Sequence, residues 1–274
     1  MQVSDIKLTN GGMAVMIRKK AACLLSIILM FLVLASCSES NSQIKAIQDR
    51  GVLRVGVKVD VPRFGYLNPS TGEMEGIEVD LACAIAKDIL GDENAVRFIN
   101  ITAQTRAAML DNGEIDIVIA TFTITEERKK SFNFSRAYYT DELGYLVCTD
   151  SSISKPEELD GKSAGVMRGS TSGAALEEES ARMGISITVR EYASYPETKA
   201  ALENGDVDVF VTDKSILFGY MDDTHYLLEY GFKPQDYGVA CKLENDKLAA
   251  RIDSILETLE NNGVLAEIIA KWDL

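Results

Sequence analysis

A stretch of thirteen residues nearly repeats itself in this chain. Ala107-Ala108-Met109-Leu110-Asp111-Asn112-Gly113-Glu114-Ile115-Asp116-Ile117-Val118-Ile119 returns 92 positions later as Lys199-Ala200-Ala201-Leu202-Glu203-Asn204-Gly205-Asp206-Val207-Asp208-Val209-Phe210-Val211. In each copy helix-forming residues run into Asn-Gly, a pair that closes a helix because glycine accepts a left-handed backbone, and an apolar β-branched run follows. The second copy also carries a helix start: Ser194 and Glu197 have capping-box spacing, and Pro196 sits in the first turn. Short strands are predicted over Leu53–Val57 and Ser163–Met167, each placed to open a βαβ unit. Two α/β lobes of similar plan follow from this duplication. Further helices are expected over 79–90, 172–183 and 247–272, and further strands over 143–148 and 239–242.

The amino terminus reads as targeting rather than fold. Arg18, Lys19 and Lys20 precede an apolar run over 21–35, which suits a signal segment and is short for a membrane span. The run ends in Leu34-Ala35-Ser36-Cys37, which resembles the bacterial lipobox. Residues 1–36 are therefore expected to be a removed lipoprotein signal peptide, Cys37 the acylated first residue, and 37–43 a lipidated tether to the outer face of the cell membrane. Met1, Met13 and Met16 are all possible starts.

Four basic and one acidic residue leave with 1–36, so 24 of 28 Lys+Arg and 41 of 42 Asp+Glu remain, a net charge of −17. Such a surface repels nucleic acid. About 230 residues suit two domains of roughly 100 each. Nucleophilic schemes all hang on the single histidine, His225, and HExxH, CxxC and P-loop spacings are missing, so no catalytic residue, metal or cofactor is expected. Cys83, Cys148 and Cys241 read as buried free thiols.

In open parallel sheets, ligands sit beyond the carboxyl ends of the strands. Those positions are Lys58, Thr121 and Thr123 in one lobe, and Arg168 to Thr171 with Thr212-Asp213 in the other. An amino acid's carboxylate calls for an arginine or a helix N-terminus, and its ammonium for a carboxylate. Thr125 is a credible N-cap that would set Arg128 on a short helix at the cleft rim, the amides of Gly169-Ser170-Thr171-Ser172 face it, and Asp213 ends the repeated strand. On spacing alone Arg128 is equally a surface arginine and Asp213 equally the N-cap of a helix over 214–220.

Longer motifs carry a family resemblance. Thr121-Phe122-Thr123-Ile124-Thr125-Glu126-Glu127-Arg128-Lys129-Lys130, then Phe132-Asn133-Phe134-Ser135 and Tyr138-Tyr139, resemble the signature of the polar amino-acid-binding proteins of ABC importers, solute-binding family 3. Gly76-Ile77-Glu78-Val79-Asp80-Leu81, Leu110 through Asp116 and Leu159-Asp160-Gly161-Lys162 do so too. The resemblance implies an α/β, two-lobed periplasmic-binding-protein (type II) clamp, each lobe a mostly parallel sheet flanked by helices. Lobe 1 would be 44–138 plus 239–274 and lobe 2 144–234, with crossing hinge strands near 138–143 and 235–238. It further implies a monomer that hands an amino acid to an ABC permease and its ATPase. Arg128, with Thr123 and the Thr171 backbone, would grip the α-carboxylate, and Asp213 the α-ammonium.

Val57-Lys58-Val59-Asp60-Val61-Pro62, Thr105-Arg106, Ala120 through Thr123, Tyr195-Pro196 and Asp213 through Leu217 are most similar to the aspartate/glutamate-binding members, and Gly169-Ser170 departs from them. That likeness implies that Lys58, Arg106, Thr121 and Tyr195 hold a side-chain carboxylate. Three cations, Lys58, Arg106 and Arg128, would then face one anion, Asp213, an excess that aspartate or glutamate lowers and glutamine does not. The expectation is thus an acidic ligand, with glutamine or another polar amino acid as the alternative. A dehydratase of prephenate-like acids on the same fold is the enzymatic alternative, and a receptor ectodomain fits less well because no apolar span follows the lobes.

Overall fold

The structure is a computed structural model, and it describes residues 42–274. The expected signal segment and Cys37 lie outside the described residues, whereas positions 42 and 43 of the expected tether already belong to a helix, α1 (Ser42–Arg50). Strands β1 (Leu53–Val57), β2 (Asp60–Val61), β3 (Gly65–Leu67) and β4 (Met74–Glu75) lead to α2 (Ile77–Leu90), β5 (Val96–Asn100), α3 (Arg106–Asp111), β6 (Ile117–Val118) and α4 (Glu126–Lys129). The long β7 (Phe132–Cys148) opens the second half, followed by β8 (Ser163–Met167), α5 (Ser172–Met183), β9 (Thr188–Tyr192), α6 (Tyr195–Glu203), β10 (Val209–Asp213), α7 (Lys214–Tyr220) and β11 (His225–Leu227). The chain returns through β12 (Phe232–Lys242) and ends in α8 (Asp246–Asn261) and α9 (Val264–Lys271). Among the described residues no helix is long and apolar enough to cross a membrane.

One mixed sheet of nine strands, ordered β5-β1-β6-β12-β7-β10-β8-β9 with β11 against β7, carries both halves. Its outer strands β5, β1 and β6 are parallel, as are β10, β8 and β9. The strands expected over 143–148 and 239–242 are the ends of β7 and β12, which pair antiparallel from Phe132↔Lys242 to Leu143↔Phe232 and so join the two parallel groups. Two α/β lobes bridged by two shared strands result. The register along this ladder shifts at Phe232/Pro234, Tyr237/Gly238 and Gly238/Ala240.

The duplicated segment has one physical role in both copies. Asn112 and Asn204 cap their helices, and Gly113 and Gly205 turn the chain at φ 70° and 73°. The shared aspartates then tie the turn to the first strand of each lobe. Asp116 accepts the Arg54 amide at 2.8 Å, and Asp208 accepts the Ser163 amide at 2.8 Å.

Helix α2 shows how local sequence places the site. Gly76, at φ 125°, starts it where a Cβ would meet the Phe64 carbonyl oxygen at 2.0 Å, and Gly91 closes it in a left-handed turn. Ile77, Leu81, Ala82, Ile85, Ala86 and Ile89 face the core. The single helix expected over 247–272 is two helices, because Gly263 breaks it at φ 81°. The three described cysteines are free as expected, but only Cys241 is buried; Cys83 and Cys148 are half-buried.

Candidate functional site

All eight positions singled out in the sequence, Lys58, Arg106, Thr121, Thr123, Arg128, Thr171, Tyr195 and Asp213, line one small cleft together with Ala103 and Ser170. A larger groove lies between α2 and the pair α8/α9, but there Lys87 pairs with Glu93 and Lys271 with Asp80.

Lys58 follows β1 and is 2% exposed. Its Nζ lies 3.3 Å from Asp60 Oδ1, 3.3 Å from Met167 Sδ of the other lobe and 3.9 Å above the Tyr195 ring. Burial pulls the ammonium down to about 8, against the opposing pull of Asp60. Arg106 opens α3 and stacks on Phe122 at 3.8 Å, donating to the Ala120 carbonyl at 3.3 Å and, across the cleft, to the Gly169 carbonyl at 3.5 Å. Burial first and Arg128 second disfavour its charge. This cation is poised for an anionic or strongly polar partner.

Thr125 caps α4 by accepting the Arg128 amide at 3.1 Å, which turns the Arg128 guanidinium into the cleft. There it donates to the Thr123 carbonyl at 2.7 Å, lies 4.6 Å from the Phe122 ring and is attracted by Asp213. Of the two sequence alternatives for Arg128, the cleft position is the one realised. Asp213 ends β10 without capping α7 through its side chain. Asp141 of β7 takes that role, accepting the Ser215 amide at 3.1 Å. Asp213 is left buried, with Oδ2 accepting from the Thr212 hydroxyl at 3.3 Å and Oδ1 without a partner among the described residues. Burial, reinforced by Asp141, pushes its carboxyl up to about 7.

On the facing turn, Thr171 donates its hydroxyl to Gln235 at 2.7 Å. The amides of Ser170 and Ser172 are bonded within the turn, to the Met167 carbonyl and the Ser170 hydroxyl, so the expected four-amide cradle is only partly open. Tyr195 opens α6 behind the Ser194 cap, which accepts the Glu197 amide at 3.3 Å.

Two acids that the sequence analysis quotes only within motifs, with no role in the site, stand beside these cations. Asp60 pairs with Lys58. Glu78 of α2 is wholly buried behind the cleft wall, where it accepts the Thr121 amide and, at 2.6 Å, the Tyr138 hydroxyl. It holds Thr121 at φ 43°, a backbone conformation that a β-branched residue rarely adopts. A usable signal existed: the apolar stripe at 82, 85 and 89, extended back one turn, lands on Glu78.

His225 is buried with Nδ1 2.7 Å from Asp222, and the Lys199 ammonium bridges Glu203 and Asp222 at 2.7 and 2.9 Å, the two acids that with His225 form the one group of metal-ligand spacing among the described residues.

A charged cleft between two α/β lobes joined by two shared strands defines a type II periplasmic binding protein. The chain belongs to the bacterial extracellular solute-binding proteins, family 3, which it matches over residues 53–274. It is 39% identical over 242 residues to the ABC transporter glutamine-binding protein GlnH of Bacillus subtilis, covering 87% of each chain. Against the glutamate-binding protein GluB of Corynebacterium glutamicum it is 27% identical over 253 residues, covering 87% of this chain and 84% of that one. An ancestral arginine-binding protein bound to glutamine superposes with a TM-score of 0.73 at 34% identity, over 81% of this chain and 98% of the other. The family and these relatives are substrate-binding transport proteins.

Proposed function

We propose that this chain is the glutamine receptor of an ABC importer. The charge balance of the cleft carries this reading. Lys58, Arg106 and Arg128 are opposed not by Asp213 alone but by Asp213, Asp60 and Glu78, three cations against three carboxylates. The excess that favours an acidic ligand arises only when Asp60 and Glu78 are left out. A balanced, buried site suits a ligand of zero net charge, since an added anion would be buried without a free counter-ion. In this reading Arg128, Thr123 and the Thr171 amide take the α-carboxylate and Asp213 the α-ammonium. Lys58, Arg106, Thr121 and Tyr195 surround the side-chain amide. The similarity to glutamine-binding GlnH supports the same choice.

The rest of the assignment follows the family. Lobes of 44–138 with 239–274 and of 144–234, hinged near 138–143 and 235–238, close as a monomer on the ligand and present it to a permease and its ATPase, without catalysing a reaction. Cys37 anchors the chain in the membrane. Competitive titration of the purified protein tests the ligand: glutamine should displace glutamate and aspartate, and equal or tighter binding of either acid would refute the choice.

A further inference from the structure

We propose that Glu78, which does not line the cleft, sets the selection between a neutral and an acidic ligand side chain by neutralising the cationic pair Lys58 and Arg106 from behind. This rests on the glutamine reading.

Glu78 is 0% exposed on a helix face that is otherwise apolar. An ionised carboxylate in such a place persists only if hydrogen bonds and cations compensate for lost water. Oε1 has the Thr121 amide and the Tyr138 hydroxyl; Oε2 has no hydrogen-bond partner among the described residues and is stabilised instead by the fields of Lys58 and Arg106. Gly65 makes room for it, since a Cβ there would come within 3.1 Å of Oε2 and 2.7 Å of the Lys58 carbonyl oxygen. The carboxylate is thus a fixed charge, held by α2, β7 and the turn after β6, and it stays in place whichever ligand arrives. While it is ionised, Lys58 and Arg106 already have a counter-charge and an amide completes their hydrogen bonds. Removing that charge leaves a buried cation uncompensated, and the balancing anion must then come from the ligand.

Glu78→Gln removes the charge and keeps an oxygen that can accept from both Thr121 and Tyr138, so the wall is preserved. Calorimetric Kd values for glutamine and glutamate should be measured on wild type and E78Q. The ratio Kd(glutamate)/Kd(glutamine) is expected to fall by at least about tenfold in the variant. A purely structural role would weaken both ligands alike, and an unmoved ratio overturns the inference. Wild-type preference for glutamate would refute the glutamine reading separately, whatever the shift in E78Q.

The wild type offers a second measurement that does not depend on a variant folding. Burial pushes the Glu78 carboxyl up to about 6, so acidification neutralises it in place. The groups facing it are Lys58, Arg106 and Tyr138, with Asp60 beyond Lys58. Lys58, Arg106 and Tyr138 keep their charge states between about pH 7 and 5.5, and Asp213 must be ionised to take the ammonium of either ligand, so its titration weakens both alike. The ratio should therefore move toward glutamate as the pH falls from about 7 to 5.5; a constant ratio overturns the inference.

Discussion

Acidification should release the ligand through Asp213. In the ligand-free protein this carboxyl is pushed up to about 7 by burial, with Asp141 adding to the effect. The proposed α-ammonium, and Arg128 opposite, require the carboxylate form. Binding therefore selects the ionised protein, and the apparent affinity falls by a factor of 1 + 10^(7−pH). That is about tenfold at pH 6 and about a hundredfold at pH 5, close to 1.4 kcal/mol per unit. Each ligand bound near pH 7 should expel about half a proton, rising toward one at lower pH. Isothermal titration calorimetry in buffers of different ionisation enthalpy reads both quantities at once. Asp213→Asn should bind weakly and without the main pH dependence. The effect on the empty fold has the opposite sign. The folded pKa of Asp213 is raised, so its stabilising contribution is complete below the unfolded value near 3.9 and is lost as the pH rises through about 7. Glu78, raised to about 6, acts in the same direction. These two groups thus favour the ligand-free protein over the very range in which the complex weakens. Glutamine affinity constant within twofold from pH 8 to 5.5 would refute the assignment of Asp213 to the ammonium.

Arg128→Ala leaves Asp213 and the ligand carboxylate without their cation, a loss of about 3 to 5 kcal/mol by comparison with other broken buried pairs; near-normal affinity in calorimetry would remove Arg128 from the site. Wild-type protein made in a lipoprotein-competent bacterium should fractionate with membranes, while Cys37→Ala should be soluble or stay an uncleaved precursor. Equal partitioning of the two would dispose of the anchor.

The duplication was legible because its residues answer to backbone geometry. In both copies Asn-Gly ends a helix, with glycine taking the left-handed turn, and the second aspartate of each copy serves a strand amide. Cleft residues at strand ends were legible for the same reason, since topology alone puts Lys58, Thr121 and Asp213 at one level. The counter-charges were not. Glu78 lies twenty positions from Lys58 in sequence and reaches it only through the packing of α2, and a lone acid on an apolar helix face carries no sign of its partner. Nor do local signals distinguish an N-cap from a buried acid at Asp213, because the cap of α7 comes from Asp141, far away on β7. The lengths of β7 and β12 were hidden too, since their polar middle sections lack the apolar runs by which strands are recognised.

Those two strands have a mechanical consequence. A pair of hydrogen-bonded strands bends readily across its width but resists sliding, which would break ladder bonds. Irregular pairing concentrates the bending, and here two of the three register shifts adjoin Gly238 while the third lies at Phe232/Pro234, at the start of β12. In the proposed clamp this connection would act as a flexure with one soft coordinate. If the halves close as proposed, Arg128 would approach Asp213 and Lys58 would approach Met167 along that one coordinate.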